Sequence, residues 1–127
     1  MAEAGTPAIR PLAREAIVTW GVSAVEIASA IERRTREGSL SDRDRAAGLD
    51  ALAELAAAWT EVSALGPVRE RAMRLVATHA LRAADAMQLG AALVAVSDRP
   101  MGHDFVCADT RLGVAAAREG FRLLPQA

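Results

Sequence analysis

The sequence predicts an α/β domain with a largely parallel sheet, and three observations lead there. Short runs of β-branched, aromatic or apolar residues recur at residues 17–20, 60–64, 105–108 and 121–124. Longer stretches with helical periodicity separate them, and strands alternating with helices are the pattern of parallel sheets joined by crossovers. No linker, internal repeat or low-complexity tract interrupts the chain, so residues 1–127 read as one domain of ordinary size.

Each element has a local reason. Thr6-Pro7 is a helix start with proline at the first helical position, opening a short helix to about Glu15. Ile17, Val18, Thr19 and Trp20 form a short buried strand. Gly21 and Ser23 lead into a helix that reaches Glu37 and stops at Gly38. Ser41 caps a second helix, Asp42 to about Ala58, with Leu49, Leu52 and Leu55 along one stripe. Residues 60–64 make a weak strand. Gly66-Pro67 then opens a helix through Thr78 whose apolar side is Val68, Ala72, Leu75 and Val76. A helix from about Ala83 to Val96 follows. Phe105, Val106, Cys107 and Ala108 read as a buried strand, Asp109 caps a helix to Glu119, and Gly120 ends it. Residues 121–124 form the last strand.

Composition excludes several classes. Hydrophobic residues make up 52% of the chain, but much of that is alanine, and two Trp and two Phe supply the aromatic bulk. Alanine favours helix while adding little apolar area. No apolar run is long enough to span a bilayer, and no basic segment followed by an apolar core opens the sequence, so neither membrane insertion nor secretion is expected. A single cysteine, Cys107, excludes an internal disulfide and agrees with a cytoplasmic location. The net charge of −1 gives no overall pull toward nucleic acid. All 15 residues of the Lys and Arg count are Arg, which a GC-rich coding sequence explains most simply. Arginine nevertheless grips phosphate bidentately, which lysine cannot do. Arg33, Arg34 and Arg36 read as a solvated helix end that complements the helix dipole. His79 and His103 lack companions for a zinc site, and Met73, Met87 and Met101 read as core or loop filling.

Three acids sit where a parallel α/β sheet gathers chemistry, outside the carboxyl ends of strands or early in helices. Asp109 directly follows a strand, and its plainest role is a helix N-cap. Glu26 has Val22, Ser23, Ser29 and Ala30 at helical spacing, with no basic partner; a solvated surface glutamate is the ordinary alternative. Asp85 lies in the first turn of an alanine-rich helix, where the dipole favours a carboxylate and Arg82 could pair with it. Gln88 adds a second polar group on that face. Carboxylates that meet at about 5 Å repel by roughly 3 kcal/mol at an effective dielectric near 20. Such a group takes up protons or binds a cation, and Mg²⁺ or Mn²⁺ suits oxygen ligands.

The stretches VTWGVSAVEIASAIERRTREGSLS, LRAADAMQLGAAL and FVCADTRLGVAAAREGFRLL, in that order and at about this spacing, resemble the PIN-domain ribonucleases. The likeness is nearest to VapC-type toxins of bacterial toxin–antitoxin pairs and extends over nearly the whole chain. It implies a three-layer α/β/α sandwich with a mostly parallel sheet, and an acidic site that binds Mg²⁺ or Mn²⁺ and hydrolyses RNA. It also implies a cognate antitoxin and is compatible with a homodimer. By motif position, Glu26, Asp85 and Asp109 are similar to the family's catalytic metal ligands. Arg82 and Arg111, beside two of them, are candidates for contact with RNA phosphates.

Two departures bear on these expectations. Family members begin with a strand ending in an aspartate that binds the metal, and GTPAIRPLAREA resembles the region after it. Roughly twenty residues of the family pattern therefore lack a counterpart, estimated from βαβ spacing, so the fold is expected to be N-terminally truncated. Glu3 and Glu15, the acids before residue 17, do not follow strands. Cys107 stands where many relatives carry Thr or Ser, and a thiol is a poor ligand for Mg²⁺. The expected function is a metal-dependent endoribonuclease toxin. The alternative is a non-catalytic PIN remnant that serves as a binding or dimerisation module.

Overall fold

The computed structural model describes residues 17–125, so the helix expected over residues 6–15 lies outside the described residues. In chain order the elements are β1 (Val18–Trp20), α1 (Ser23–Arg36), α2 (Asp42–Ala58), β2 (Thr60–Val62), α3 (Leu65–Thr78), α4 (Ala83–Ala95), β3 (Asp104–Val106), α5 (Thr110–Glu119) and β4 (Arg122–Leu124). The class is mixed α/β with short parallel strands, as the alternation of segments requires. No helix among the described residues is long and apolar enough to cross a membrane.

Among the described residues all strand pairing is parallel, but the strands form two separate two-stranded sheets where one continuous sheet was expected. β1 pairs with β2, Thr19 opposite Glu61, and β3 pairs with β4, Phe105 opposite Leu123. The α1–α2 hairpin joins the first pair and α5 joins the second, both crossovers of the kind parallel strands demand. Main-chain bonds extend each ladder by a residue: Thr60 N donates to Ile17 O, Gly21 N to Val62 O, and Cys107 N to Leu124 O. The strands are less buried than their composition implies. Trp20 and Phe105 are buried, whereas Val18 and Val106 are about half exposed.

Helix ends follow their local chemistry closely. The Ser41 hydroxyl accepts a hydrogen bond from Asp44 N at the start of α2, and Asp109 does the same for Leu112 N at the start of α5. α5 ends at Gly120 with φ at +115°, and an added Cβ there would also lie 2.9 Å from Pro100 Cγ. Only glycine meets both demands without strain.

The core is built around α4. Ala86, Leu89, Gly90, Ala91 and Leu93 are all buried, so this helix is enclosed on several sides, which is what an alanine-rich segment with few large side chains permits. Leu89 and Leu93 join Ala72 and Leu75 of α3, Leu112, Ala115 and Ala116 of α5, and Phe105 and Phe121 in the main cluster. The two phenyl rings meet tilted, with centroids 5.6 Å apart. A smaller cluster of Trp20, Val68 and Ala91 ties β1 to the same two helices. α2 buries no residue completely, and its leucine stripe is half-covered against α1. A bidentate pair, Arg45 to Glu32 at 2.7 Å for both bonds, also joins those helices.

Several expected core positions turn outward. Val76 is partly exposed and Met73 largely so, because the face of α3 toward α4 is already filled by Val68, Ala72 and Leu75. Met101 projects from its loop, and Met87 alone of the three methionines packs against the core.

His79, at the C-terminus of α3, is buried, and its Nε2 lies 2.7 Å from Glu119 Oε2 at the end of α5. Arg74 donates two further bonds to the Glu119 carboxylate. These bonds, Arg74's foremost and His79's after it, hold the Glu119 carboxyl below the ordinary glutamate range against the opposing effect of burial. A depressed acid contributes stability above its unfolded pKa and loses it as pH falls through the folded value. The melting temperature is therefore expected to fall with pH below about 4.3, the unperturbed glutamate value. Glu119→Gln should flatten part of that slope while lowering stability at neutral pH; thermal melts from pH 3 to 7 compare the two.

Gly90 sets the distance between α3 and α4. A Cβ there would lie 2.9 Å from Val68 O and 3.3 Å from Ala72 N, both main-chain atoms that move only with their helix. Alanine gains roughly 1 kcal/mol of helix propensity over glycine, but overpacking a filled interface costs about 1–3 kcal/mol. Gly90→Ala is expected to lose up to about 2 kcal/mol net, read by urea denaturation.

Candidate functional site

The three acids reach their positions by different local routes. Asp85 occupies the first turn of α4, whose N-cap residue, Arg82, supplies no side-chain cap. Its side chain is 21% exposed, and Arg82 Nε approaches Oδ2 only to 3.8 Å while remaining 83% exposed. A contact that loose and solvated adds little stability, so the pairing with Arg82 does not by itself account for the aspartate.

Asp109 is the N-cap of α5. Its Oδ1 accepts from Leu112 N at 2.9 Å, as a capping aspartate should. Oδ2 makes no hydrogen bond among the described residues and is left for another partner. Glu26 lies in the first turn of α1 and is partly covered. Burial pushes its carboxyl above the ordinary range, and the negative charge of Asp85 pushes it further. The solvated surface glutamate is thus replaced by a half-buried acid in electrostatic reach of Asp85.

Asp85 and Asp109 line one open cleft of about 360 Å³, together with Ala80, Arg82, Thr110 and Arg111. The start of α4 and the start of α5 form its two sides, so positive helix ends and two arginines surround two carboxylates. Arg33, Arg34 and Arg36 stand in the last turn of α1, on the order of 12 Å along the axis from Glu26 at 1.5 Å per residue. They take no part in the cleft.

The donor chemistry suits a hard divalent cation, which prefers carboxylate oxygens and retains several waters. Geometry is less complete. Among the described residues, no three His, Cys, Asp or Glu side chains lie close enough together to hold a metal ion. Asp85 can offer its carboxylate and Asp109 its Oδ2 to a largely hydrated ion, since Asp109 Oδ1 is held by the helix cap. His79 and His103 are not at the cleft; His79 is taken by Glu119.

Two features escape sequence reading. Among the described residues, the Thr19 and Ser23 hydroxyls are buried without a hydrogen-bond partner at the junction of β1 and α1, and Ser23 precedes Glu26 by three residues on the same helix. Cys107 packs partly against the main core while bonding to the main chain of Asp109. The β-branched and apolar patterns around these residues give no sign of either arrangement.

Compared with known proteins, the chain matches no protein-family model and no curated protein.

The Glu26 carboxyl offers a direct check on the arrangement. It is expected to titrate above the ordinary glutamate range in a carbon-13 NMR titration. Asp85→Asn should move it part of the way back and no further, because burial is the larger cause. An unmoved midpoint in that variant would separate the two residues.

Proposed function

We propose that the chain is a metal-dependent endoribonuclease of the PIN type, the toxin of a VapBC-like pair. One observation supports this reading above the others. Asp85 and Asp109 come from separate segments yet line the same arginine-flanked cleft, and Glu26 is within electrostatic reach of Asp85. The motif order of the sequence points to the same three acids. A three-layer α/β/α arrangement, a cytoplasmic location, a cognate antitoxin and self-association belong to this proposal as well.

On this reading Asp85 and Asp109 would hold Mg²⁺ or Mn²⁺, with Glu26 contributing charge from longer range. The ion would polarise a phosphodiester oxygen and lower the pKa of a bound water. Arg82 and Arg111 lie where an RNA phosphate would enter the cleft, and their guanidinium groups suit its oxygens. Burial, and after it the charge of Asp85, give Glu26 a higher proton affinity than an exposed glutamate has. No base-stacking role falls to the two phenylalanines, since both are buried in the core.

A second reading is favoured by a specific observation, the lack of a closed three-ligand group among the described residues. It makes the chain a non-catalytic PIN-like module for binding or dimerisation. One pair of measurements separates them. For the nuclease, Mn²⁺ at a hundredfold its Kd should stabilise the fold by about 2.7 kcal/mol, an effect lost in Asp109→Asn. RNA cleavage should be slow, Mn²⁺-dependent and abolished in Asp85→Asn. A protein that neither melts higher with Mn²⁺ nor cleaves RNA would favour the binding module.

A further inference from the structure

We infer that Cys107 is a positioning residue for Asp109, holding it in place through both ends of its main-chain unit; the inference rests on the reading of Asp109 as a metal ligand. The Cys107 thiol donates to Asp109 O at 3.1 Å. Asp109 N donates back to the same sulfur at 3.2 Å. A two-residue loop is thereby closed on itself by a single side chain.

The sulfur is not freely solvated. Cys107 is half-buried and packed against the main core cluster, while Ala108, Asp109 and Thr110 are exposed. Its own backbone is fixed as well, with Cys107 N donating to Leu124 O at 3.0 Å. The order of the core thus passes through Cβ and Sγ to an aspartate that would otherwise be anchored only by its helix. On the other side, Asp109 O also accepts from Gly113 N and Oδ1 caps Leu112 N. These contacts leave Oδ2 as the one carboxylate atom without a partner among the described residues. Ligand geometry must be held to within about 0.5 Å to be productive, and a clasp on both main-chain atoms supplies that restraint. The role requires hydrogen bonding by the side chain, not its sulfur as a ligand.

Calorimetric titration of the full chain with Mn²⁺ tests this, comparing the unmodified protein with Cys107→Ala, Cys107→Val and Cys107→Ser. Loss of one or two modest hydrogen bonds predicts roughly three- to tenfold weaker Mn²⁺ binding in the Ala and Val variants. Serine, whose hydroxyl can donate and accept, should recover most of the affinity. Valine fills the space of the thiol, so a loss shared by Ala and Val but not Ser cannot be a packing effect. Exchange of the Asp109 amide proton gives a metal-free readout, faster in Ala and Val and slowed again in Ser. Equal Mn²⁺ affinity in all four proteins, or an Asp109 amide indifferent to residue 107, would overturn the inference while leaving the nuclease reading intact. No Mn²⁺ binding by the unmodified chain would overturn that reading and this inference with it.

Discussion

The close approach of α4 to α3 is the constraint on which the remaining geometry depends. At Gly90 the two helices come within a distance that admits no side chain, and Val68 and Leu75 on the facing side are completely buried. Such contact is available only to a helix made largely of small residues. It has a consequence at the first turn of the same helix. α4 cannot slide or rotate without breaking this interface, so the first turn that carries Asp85 is fixed in direction. The apolar composition that makes Asp85 look out of place is therefore also what holds it still.

The electrostatics of the cleft follow from that rigidity. Two helix starts meet there, each with unsatisfied main-chain N–H groups, and both present a carboxylate. Asp109 meets part of this demand by capping its own helix. Among the described residues, Asp85 has only a distant and exposed arginine. Its charge is consequently felt by Glu26, whose carboxyl it helps to push upward. A free acid pair would relax by moving apart, but these acids are mounted on helices that the core has already placed. The surrounding cations, Arg82 and Arg111, are on flexible stems and can turn toward an incoming anion.

What was legible in the sequence is what local chemistry determines. Ser41, Asp109, Gly38 and Gly120 mark helix ends because capping and left-handed turns are settled within a few residues. Element type was readable from periodicity throughout the described residues. The division into two sheets was not, since pairing depends on which strands are brought side by side by helices tens of residues away. Nor was the outward turn of Met73 and Val76, because a hydrophobic residue signals burial only if another element covers it. His79 and Glu119 meet across 40 residues of sequence, beyond any spacing rule. For the candidate site, the placement of each acid at a helix start was visible. The shared cleft of Asp85 and Asp109 depends on how α4 and α5 pack, which no motif encodes.

The sheets themselves are too short to set the site. Each strand has three residues and a single partner, and a lone pair of parallel strands has little stability without helices on its faces. β1 is held by Trp20 in contact with Val68 and Ala91, and β3 by Phe105 against Leu89 and Phe121. Both strands thus take their positions from helices α3 and α4. In most parallel α/β folds the sheet is the rigid platform from which strand ends present functional groups. Here the order of support is reversed: α4 packs against the strands, β1 leads into the helix that carries Glu26 and β3 toward the cap residue Asp109, and α4 itself carries Asp85. A change at the α3–α4 contact would therefore bear on Asp85, in the first turn of the same helix, and through Trp20 on the strand that leads to Glu26.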